Sequence, residues 1–326
     1  MRAAFYDVNG TAADVLRVAD VATPTPGHGE VRVKLKTSGV NPSDVKSRLG
    51  ATRKIAFPRV IPHSDGAGEI DAVGDGVPKS RIGERVWIWN GQWKRAFGTA
   101  AEYIAVPQRQ AVPLPANVGF DIGAGLGIPA ITARYAVTVS GAKKGSTVFI
   151  PAGAGAVGFY AIQFSKAEGA TVITTVSSPE KRAVAQKAGA DHIIDYKKED
   201  VAARVAEITD RKGVDVVLEM DLGANSKLWP SILHARSSVV VYGVSGAEQT
   251  VPAQFCLTSN INVRFILVYE MTAEELDAAI ASISTLLADG KLVHNIARTL
   301  PLDQIVAAHE TVEKGAAIGK VVVTIS

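Results

Sequence analysis

Three glycines within six residues, Gly153, Gly155 and Gly158, lie in the stretch VFIPAGAGAVGFYAIQF (148–164) between two apolar runs. The loop spells a full GxGxxG. Alone that pattern is weak, because glycine and alanine are common. Its context is specific: an apolar strand (STVFIPA) before it, an amphipathic helix (AVGFYAIQFSKAEG) after it, and a second strand (TVITTV) beyond. In such a unit Gly153 permits the tight turn and Gly155 lets a diphosphate approach the backbone. Gly158 lets the helix pack close to the strand, and the helix's free N–H groups face the anion. A tight turn without ligand is the alternative. Downstream the alternation continues through PEKRAVAQKAG, DHIID, DVAARVAEITD, VDVVLEM, SSVVVYG and INVRFILVY. Strands alternating with helices of this length predict βαβ units, hence an α/β fold with a doubly wound parallel sheet.

The segment before this block has another texture. EVRVKLKTSGV alternates as a half-buried strand, and GEIDAVGDGV and GERVWIW continue the pattern between Pro- and Gly-rich turns. This predicts a compact β domain, a partly open barrel. Thr272 followed by Glu275 marks a capping-box start for TAEELDAAIASISTLLADG, and the closing KVVVTIS is a strand expected to return to the first domain. A chain of 326 residues exceeds one compact core, so two domains are expected. The formal charge of +3 is too small and too scattered to argue for nucleic acid or an anionic membrane. The single cysteine, Cys256, forms no internal disulfide and builds no cysteine-rich zinc site. No apolar stretch is long enough to span a bilayer, so a cytoplasmic setting is the expectation.

The residues after the second strand discriminate between cofactors. A NAD-binding unit places an Asp or Glu there for the ribose 2′-hydroxyl. This chain reads TTVSSPEKR: Ser177 and Ser178 at the strand end, with Lys181 and Arg182 one turn on. Hydroxyls with cations suit a 2′-phosphate, so NADP(H) is the expected cofactor. The plainer reading makes Ser178 an N-cap and Pro179 the first helical residue; both can hold.

At this point the chain resembles the zinc-independent, zeta-crystallin-like quinone oxidoreductases of the medium-chain dehydrogenase/reductase superfamily. The resemblance rests on SGVNPSDVKSRLG, HSDGAGEIDAVGDGV, GIPAITARYAV, GVDVVLEMDLGAN and GAAIGKVVV in that order. It implies a GroES-like β-barrel domain (1–122 and 296–326) with a Rossmann NADP(H)-binding domain (123–295), the active site in a cleft, and a homodimer. It implies reduction of a quinone by NADPH without metal. An enone or 2-alkenal reductase is the alternative, as is a cofactor-binding, crystallin-like or RNA-binding protein. By position, Asn41 and Thr132 belong near the nicotinamide, Ala156 and Val157 at the diphosphate, and Ser177, Lys181 and Tyr196 around the 2′-phosphate. Gly243 and the segment Leu267 and Val268 belong beside the nicotinamide.

Where zinc-bearing relatives use Cys and a His-Glu pair, this chain has Asn41 and Ser64-Asp65, so no metal is expected. Lys46 stands where relatives often carry Tyr; it binds an anionic group, donates a proton, or extends to solvent. His63 replaces a usual glycine, as a proton donor or a hydrogen-bonded structural residue. Gly315 stands where some relatives use an arginine, which leaves more of the phosphate binding to Lys181. Trp87 is expected in the core, while Trp93 remains open between core and a ring-stacking role.

Overall fold

The computed structural model describes residues 1–51 and 54–325. It comprises two compact units, Met1–Ile128 with His294–Ser326, and Pro129–Val293. The first unit opens with a short antiparallel pair, β1 (Arg2–Phe5) and β2 (Arg17–Asp20). Then follow β3 (Glu30–Val40), β4 (Asp65–Val73), β5 (Arg85–Ile88), β6 (Tyr103–Pro107) and β7 (Ala111–Pro113). In β3 the alternation read from the sequence is real: Val31, Val33 and Leu35 are buried, while Lys34 between them is exposed. Trp87 is fully buried in β5, opposite Ala67 and Val112. Its neighbour Trp89 is also buried, whereas Phe97 stands out at the surface.

The second unit carries β8 (Thr147–Ile150), β9 (Thr171–Val176), β10 (His192–Asp195), β11 (Val214–Glu219), β12 (Leu233–Val241) and β13 (Asn262–Phe265). All pair in parallel, in the order β10-β9-β8-β11-β12-β13. That order reverses direction between β8 and β11, the switch point at which open α/β sheets bind ligands. Phe149, Ile173, Val217 and Val239 are buried in this sheet, each contributing roughly 1.5–3 kcal/mol of hydrophobic burial. The helices stop where the sequence said: Ala156–Ala167 and Pro179–Lys187 end before Gly169 and Gly189, which take left-handed φ of 80° and 93°. The capping box of Thr272 and Glu275 forms. The apolar run INVRFILVY yields only the four residues of β13, because the backbone leaves the sheet edge after Ile266 bonds Val241.

The chain then re-enters the first unit with β14 (Ile296–Pro301) and β15 (Lys320–Thr324). β15 pairs antiparallel with β3, so the last strand does close the first sheet. The order there is β14-β15-β3-β4-β5-β7, with β6 also on β3. β3 is the hub, bonded to β4, β6 and β15.

A polar chain runs through this core. Thr99 Oγ1 donates to the Asp65 carbonyl at 2.5 Å, so Ser38 Oγ, 2.8 Å away, must donate to Thr99. His63 Nδ1 then donates to Ser38 at 2.8 Å, and His63 Nε2 accepts from His309 Nε2 at 2.9 Å. One tautomer of each ring satisfies all four bonds. Burial holds His63 well below its usual pKa, and it drives His309 down to about 3, with the Arg48 charge adding to it. His63 also sits at φ 77°, the conformation its usual glycine would adopt freely.

Both rings are neutral when folded and protonate below pH 6.5 when unfolded. The rings' own contribution to stability is therefore full above that pH and falls as pH drops below 6.5, by about 1.4 kcal/mol per pH unit for each ring while it stays neutral, down to about 3 for His309. Urea unfolding at stepped pH should lose stability towards acid more steeply in the wild type than in His63→Gly with His309→Leu, the difference between the two being the rings' slope. An unchanged slope in the double variant would contradict the assignment.

Candidate functional site

In the second unit the carboxyl ends of the parallel strands gather most of the expected residues. The loop after β8 reaches the helix Ala156–Ala167 through Gly155, its N-cap, which offers no capping side chain. The N–H groups of Ala156, Val157 and Gly158 therefore open the helix without acceptors from its own turn. The three glycines divide their labour differently from the sequence reading. The left-handed residue of the turn is Ala152, at φ 56°, not Gly153. Gly153 is needed for packing, since a Cβ there would collide with Thr174 Oγ1 of β9. A Cβ on Gly158 would lie 2.6 Å from the Ala152 carbonyl, which keeps the helix close to the strand. At Gly155 a Cβ would touch only the Ala152 carbonyl, at 3.3 Å, so its outer side is open for a ligand.

At the end of β9, Ser178 Oγ caps the next helix by accepting from the Lys181 N–H at 3.3 Å. Lys181 Nζ meanwhile donates to Ser177 Oγ at 3.1 Å. Capping and cation placement thus coexist, each using a different serine. The Tyr196 N–H bonds the Val176 carbonyl at 3.1 Å, which sets Tyr196, half exposed, beside the Ser177 backbone. Gly243 follows β12 at the same edge, where a Cβ would collide with the Met220 carbonyl beyond β11. Leu267 and Val268 follow β13; Leu267 is exposed and Val268 buried. Thr132 is buried in the helix Ile131–Ser140.

The first unit brings together fewer of the expected residues. Asn41 is the buried N-cap of the helix Pro42–Leu49, and Lys46 is on the exposed face of that helix. His63 is a correction as a proton donor: both ring nitrogens are engaged by Ser38 and His309 inside the core, which leaves none for a substrate. Sequence reasoning missed the pair that surrounds Asn41. Lys320 Nζ donates to Asp65 Oδ2 at 2.7 Å and to Asn41 Oδ1 at 2.6 Å, while Asn41 Nδ2 donates to Asp65 Oδ2 at 2.8 Å. Asp65 Oδ1 accepts from the Ile128 N–H at 2.7 Å. Three strand ends converge here: the close of β3, the start of β4 and the start of β15. Gly39 leaves room for the Lys320 stem, since a Cβ there would sit 2.6 Å from Lys320 Cε. Asp44, whose carboxylate accepts from the Asn41 N–H at 2.7 Å, is pushed up to about 7 by burial and then by the Asp65 charge. The available signal was a lysine opening the run KVVVTIS, a charge at the mouth of a buried strand.

Comparisons with known proteins identify this architecture. Residues 27–116 match the alcohol dehydrogenase GroES-like domain, and residues 156–285 match the zinc-binding dehydrogenase family. The quinone oxidoreductase of Lama guanicoe is 30% identical over 314 residues, 95% of this chain and 93% of that protein. A 2-haloacrylate reductase of Burkholderia is 30% identical over 319 residues, 93% of each chain. The Escherichia coli quinone oxidoreductase, crystallised with NADPH, superposes with a TM-score of 0.89 at 28% identity, covering 100% of both chains. A Rossmann sheet joined to a GroES-like barrel defines a medium-chain dehydrogenase/reductase. Within that superfamily the chain belongs to the quinone oxidoreductase branch.

A zinc ion, which one matched family is named for, does not fit the residues present. Asn41 and Ser64 offer no thiolate or imidazole, and both oxygens of Asp65 are taken by Lys320, Asn41 and the Ile128 N–H. Among the described residues, no group of three or more His, Cys, Asp or Glu is placed to hold a metal.

Lys320→Met should cost about 3–5 kcal/mol, because it strands the buried Asp65 carboxylate. Lys320→Met with Asp65→Asn should recover most of that loss. Chemical denaturation of the three proteins checks this, and a double variant no better than the single would contradict it.

Proposed function

We propose that the protein is an NADPH-dependent quinone oxidoreductase that works without metal. The observation that carries this reading is the Lys181–Ser177 pair beside a strand end that lacks a carboxylate, next to an uncapped helix N-terminus. The helix mouth suits a diphosphate, and a fixed cation with a hydroxyl suits the adenosine 2′-phosphate. Residues 123–295 are then the NADP(H)-binding domain, with Gly153, Gly155, Ala156, Val157 and Gly158 at the diphosphate. Ser177, Lys181 and Tyr196 bind the 2′-phosphate. Thr132, Gly243, Leu267 and Val268 line the nicotinamide side, and residues 1–122 with 296–326 form the catalytic domain that contributes Asn41.

Bound NADPH supplies the hydride. The protein's part is proximity: holding donor and acceptor carbons about 3–3.5 Å apart, away from water. A quinone is already electrophilic, and its reduced oxygen takes a proton from solvent, so neither a metal nor a buried acid is required. An enone or 2-alkenal is the second reading, favoured by the 30% identity to a 2-haloacrylate reductase. We place the enzyme in the cytoplasm, where its single thiol remains reduced; among the described residues no helix is long and apolar enough to cross a membrane. We further propose a homodimer through the edge strand β13. Among the described residues its ladder is unpaired on one side, and Leu257, Phe265 and Leu267 around it are 78%, 62% and 52% exposed.

Steady-state assays with a quinone and an enone panel and each nicotinamide cofactor test the assignment. Lys181→Ala should raise KM for NADPH by about tenfold or more, while NADH changes less than about twofold. Equal loss for both cofactors would refute the 2′-phosphate assignment. Gly155→Val should abolish dinucleotide binding in a protein of near-normal Tm; retained binding would count against the phosphate loop.

A further inference from the structure

Asp44 is a buried carboxyl beside Asn41, near the start of the helix Pro42–Leu49, and it is only 5% exposed. Its Oδ2 accepts from the Asn41 N–H at 2.7 Å, as part of the capping box of that helix. The accepting oxygen is thereby fixed, so a proton on this carboxyl sits on Oδ1. Among the described residues no donor reaches Oδ1 in hydrogen-bonding geometry. Nor is Oδ1 one of the sealed polar atoms that lack a partner, so it opens on accessible space.

The charges around Asp44 favour keeping that proton near neutral pH. Asp65, at the start of β4, faces it with a negative charge. Lys320, at the start of β15, opposes this, but its ammonium is bonded to Asp65 and Asn41. The helix Ile305–Glu313, packed on the helix of Asp44, brings His309, which is neutral, and Glu313, which is paired with Arg48 at 2.6 Å. Lys46 is on the exposed face of Asp44's own helix. Burial first, and then the Asp65 charge, push the carboxyl up to about 7, against the Asn41 N–H, the Lys320 charge and a weak pull from the Asn41 amide. An acid poised there is well matched to proton transfer at neutral pH.

We propose that Asp44 is the general acid of the reduction, its Oδ1–H giving the proton to a carbonyl oxygen of the acceptor. This rests on the redox reading above and names a donor for the proton that water would otherwise supply. As a hydride from bound NADPH is taken up by the acceptor, the displaced electron pair settles on the carbonyl oxygen. The Asp44 O–H bond breaks and a new O–H bond forms on that oxygen. The Asp44 carboxylate regains a proton from solvent, so NADPH, acceptor and one proton give NADP⁺ and the dihydro product. A strongly electrophilic quinone gains little from the acid; a weaker electrophile, with a more basic oxygen, gains more.

Stopped-flow single turnovers of NADPH with 1,4-benzoquinone and with the weaker electrophile 2-methyl-1,4-naphthoquinone test this, in the full-length protein and in Asp44→Asn. The amide oxygen of the variant still accepts from the Asn41 N–H, so its Tm and its Kd for NADP⁺ should match the wild type. The wild-type naphthoquinone rate should fall above a pH of about 7, approaching tenfold per pH unit as Asp44 loses its proton. Asp44→Asn should lower that rate by about 100-fold below neutral pH, lower the benzoquinone rate by less, and abolish the fall towards alkali. An alkaline fall that persists in Asp44→Asn, or an equal loss on both quinones at every pH, would overturn the proposal and leave Asp44 a helix cap. A wild-type naphthoquinone rate that stays flat up to a pH of about 9 would also overturn it, whether or not the variant folds. A wild type that oxidises NADPH with neither quinone would overturn the redox reading itself, and this proposal with it.

Discussion

The second unit depends on the closeness with which one helix begins against one sheet. Gly153 and Gly158 remove the Cβ atoms that would collide with Thr174 and with the Ala152 carbonyl. That contact sets the start of the helix Ala156–Ala167 at the end of β8, beside the switch point of the strand order. Everything proposed about the cofactor follows from it. The N–H groups face outward because the helix starts there, and the serines and lysine after β9 are within reach because β9 is the next strand. A side chain at either glycine would push the helix away and take the proposed diphosphate site with it.

The first unit is organised by a different constraint, the cost of burying charge. A lysine ammonium and an aspartate carboxylate share a dry position where three strands end, and Asn41 bridges them. Removing one partner strands the other, so the pair ties the start of β15 to the start of β4 and to the residue after β3. It also explains why Asn41, Ser64 and Asp65 do not fit a zinc ion in a chain matched by a zinc-binding dehydrogenase family. The carboxylate that a metal would need is already neutralised and fully hydrogen-bonded. Beside it, the His63–His309 contact turns the same core into one that tolerates neutral imidazoles only.

Much of this was legible before any coordinates. The βαβ alternation, the Gly169 and Gly189 stops and the Thr272 capping box follow from local rules: period, caps and left-handed glycines. The Ser178 cap and the placement of Lys181 were also readable, because both act within one helical turn. The residues that escaped are those whose meaning comes from distant partners. Nothing near His63 in sequence announces His309, 246 residues away, and nothing near Asp65 announces Lys320, 255 residues on. The glycine loop lies between these cases. Its pattern was clear, but Ala152, not Gly153, makes the turn, because Gly153 is reserved for a contact with the neighbouring strand.

The central claim is that a diphosphate rests on the helix mouth while Lys181 and Ser177 hold a third phosphate at the end of β9. Phosphorus NMR of NADP⁺ added to the protein reads both groups at once. The account predicts that the 2′-phosphate signal shifts on binding and keeps its dianionic position to a lower pH than in the free nucleotide. A 2′-phosphate that titrates as it does in water, with the dinucleotide bound, would contradict it.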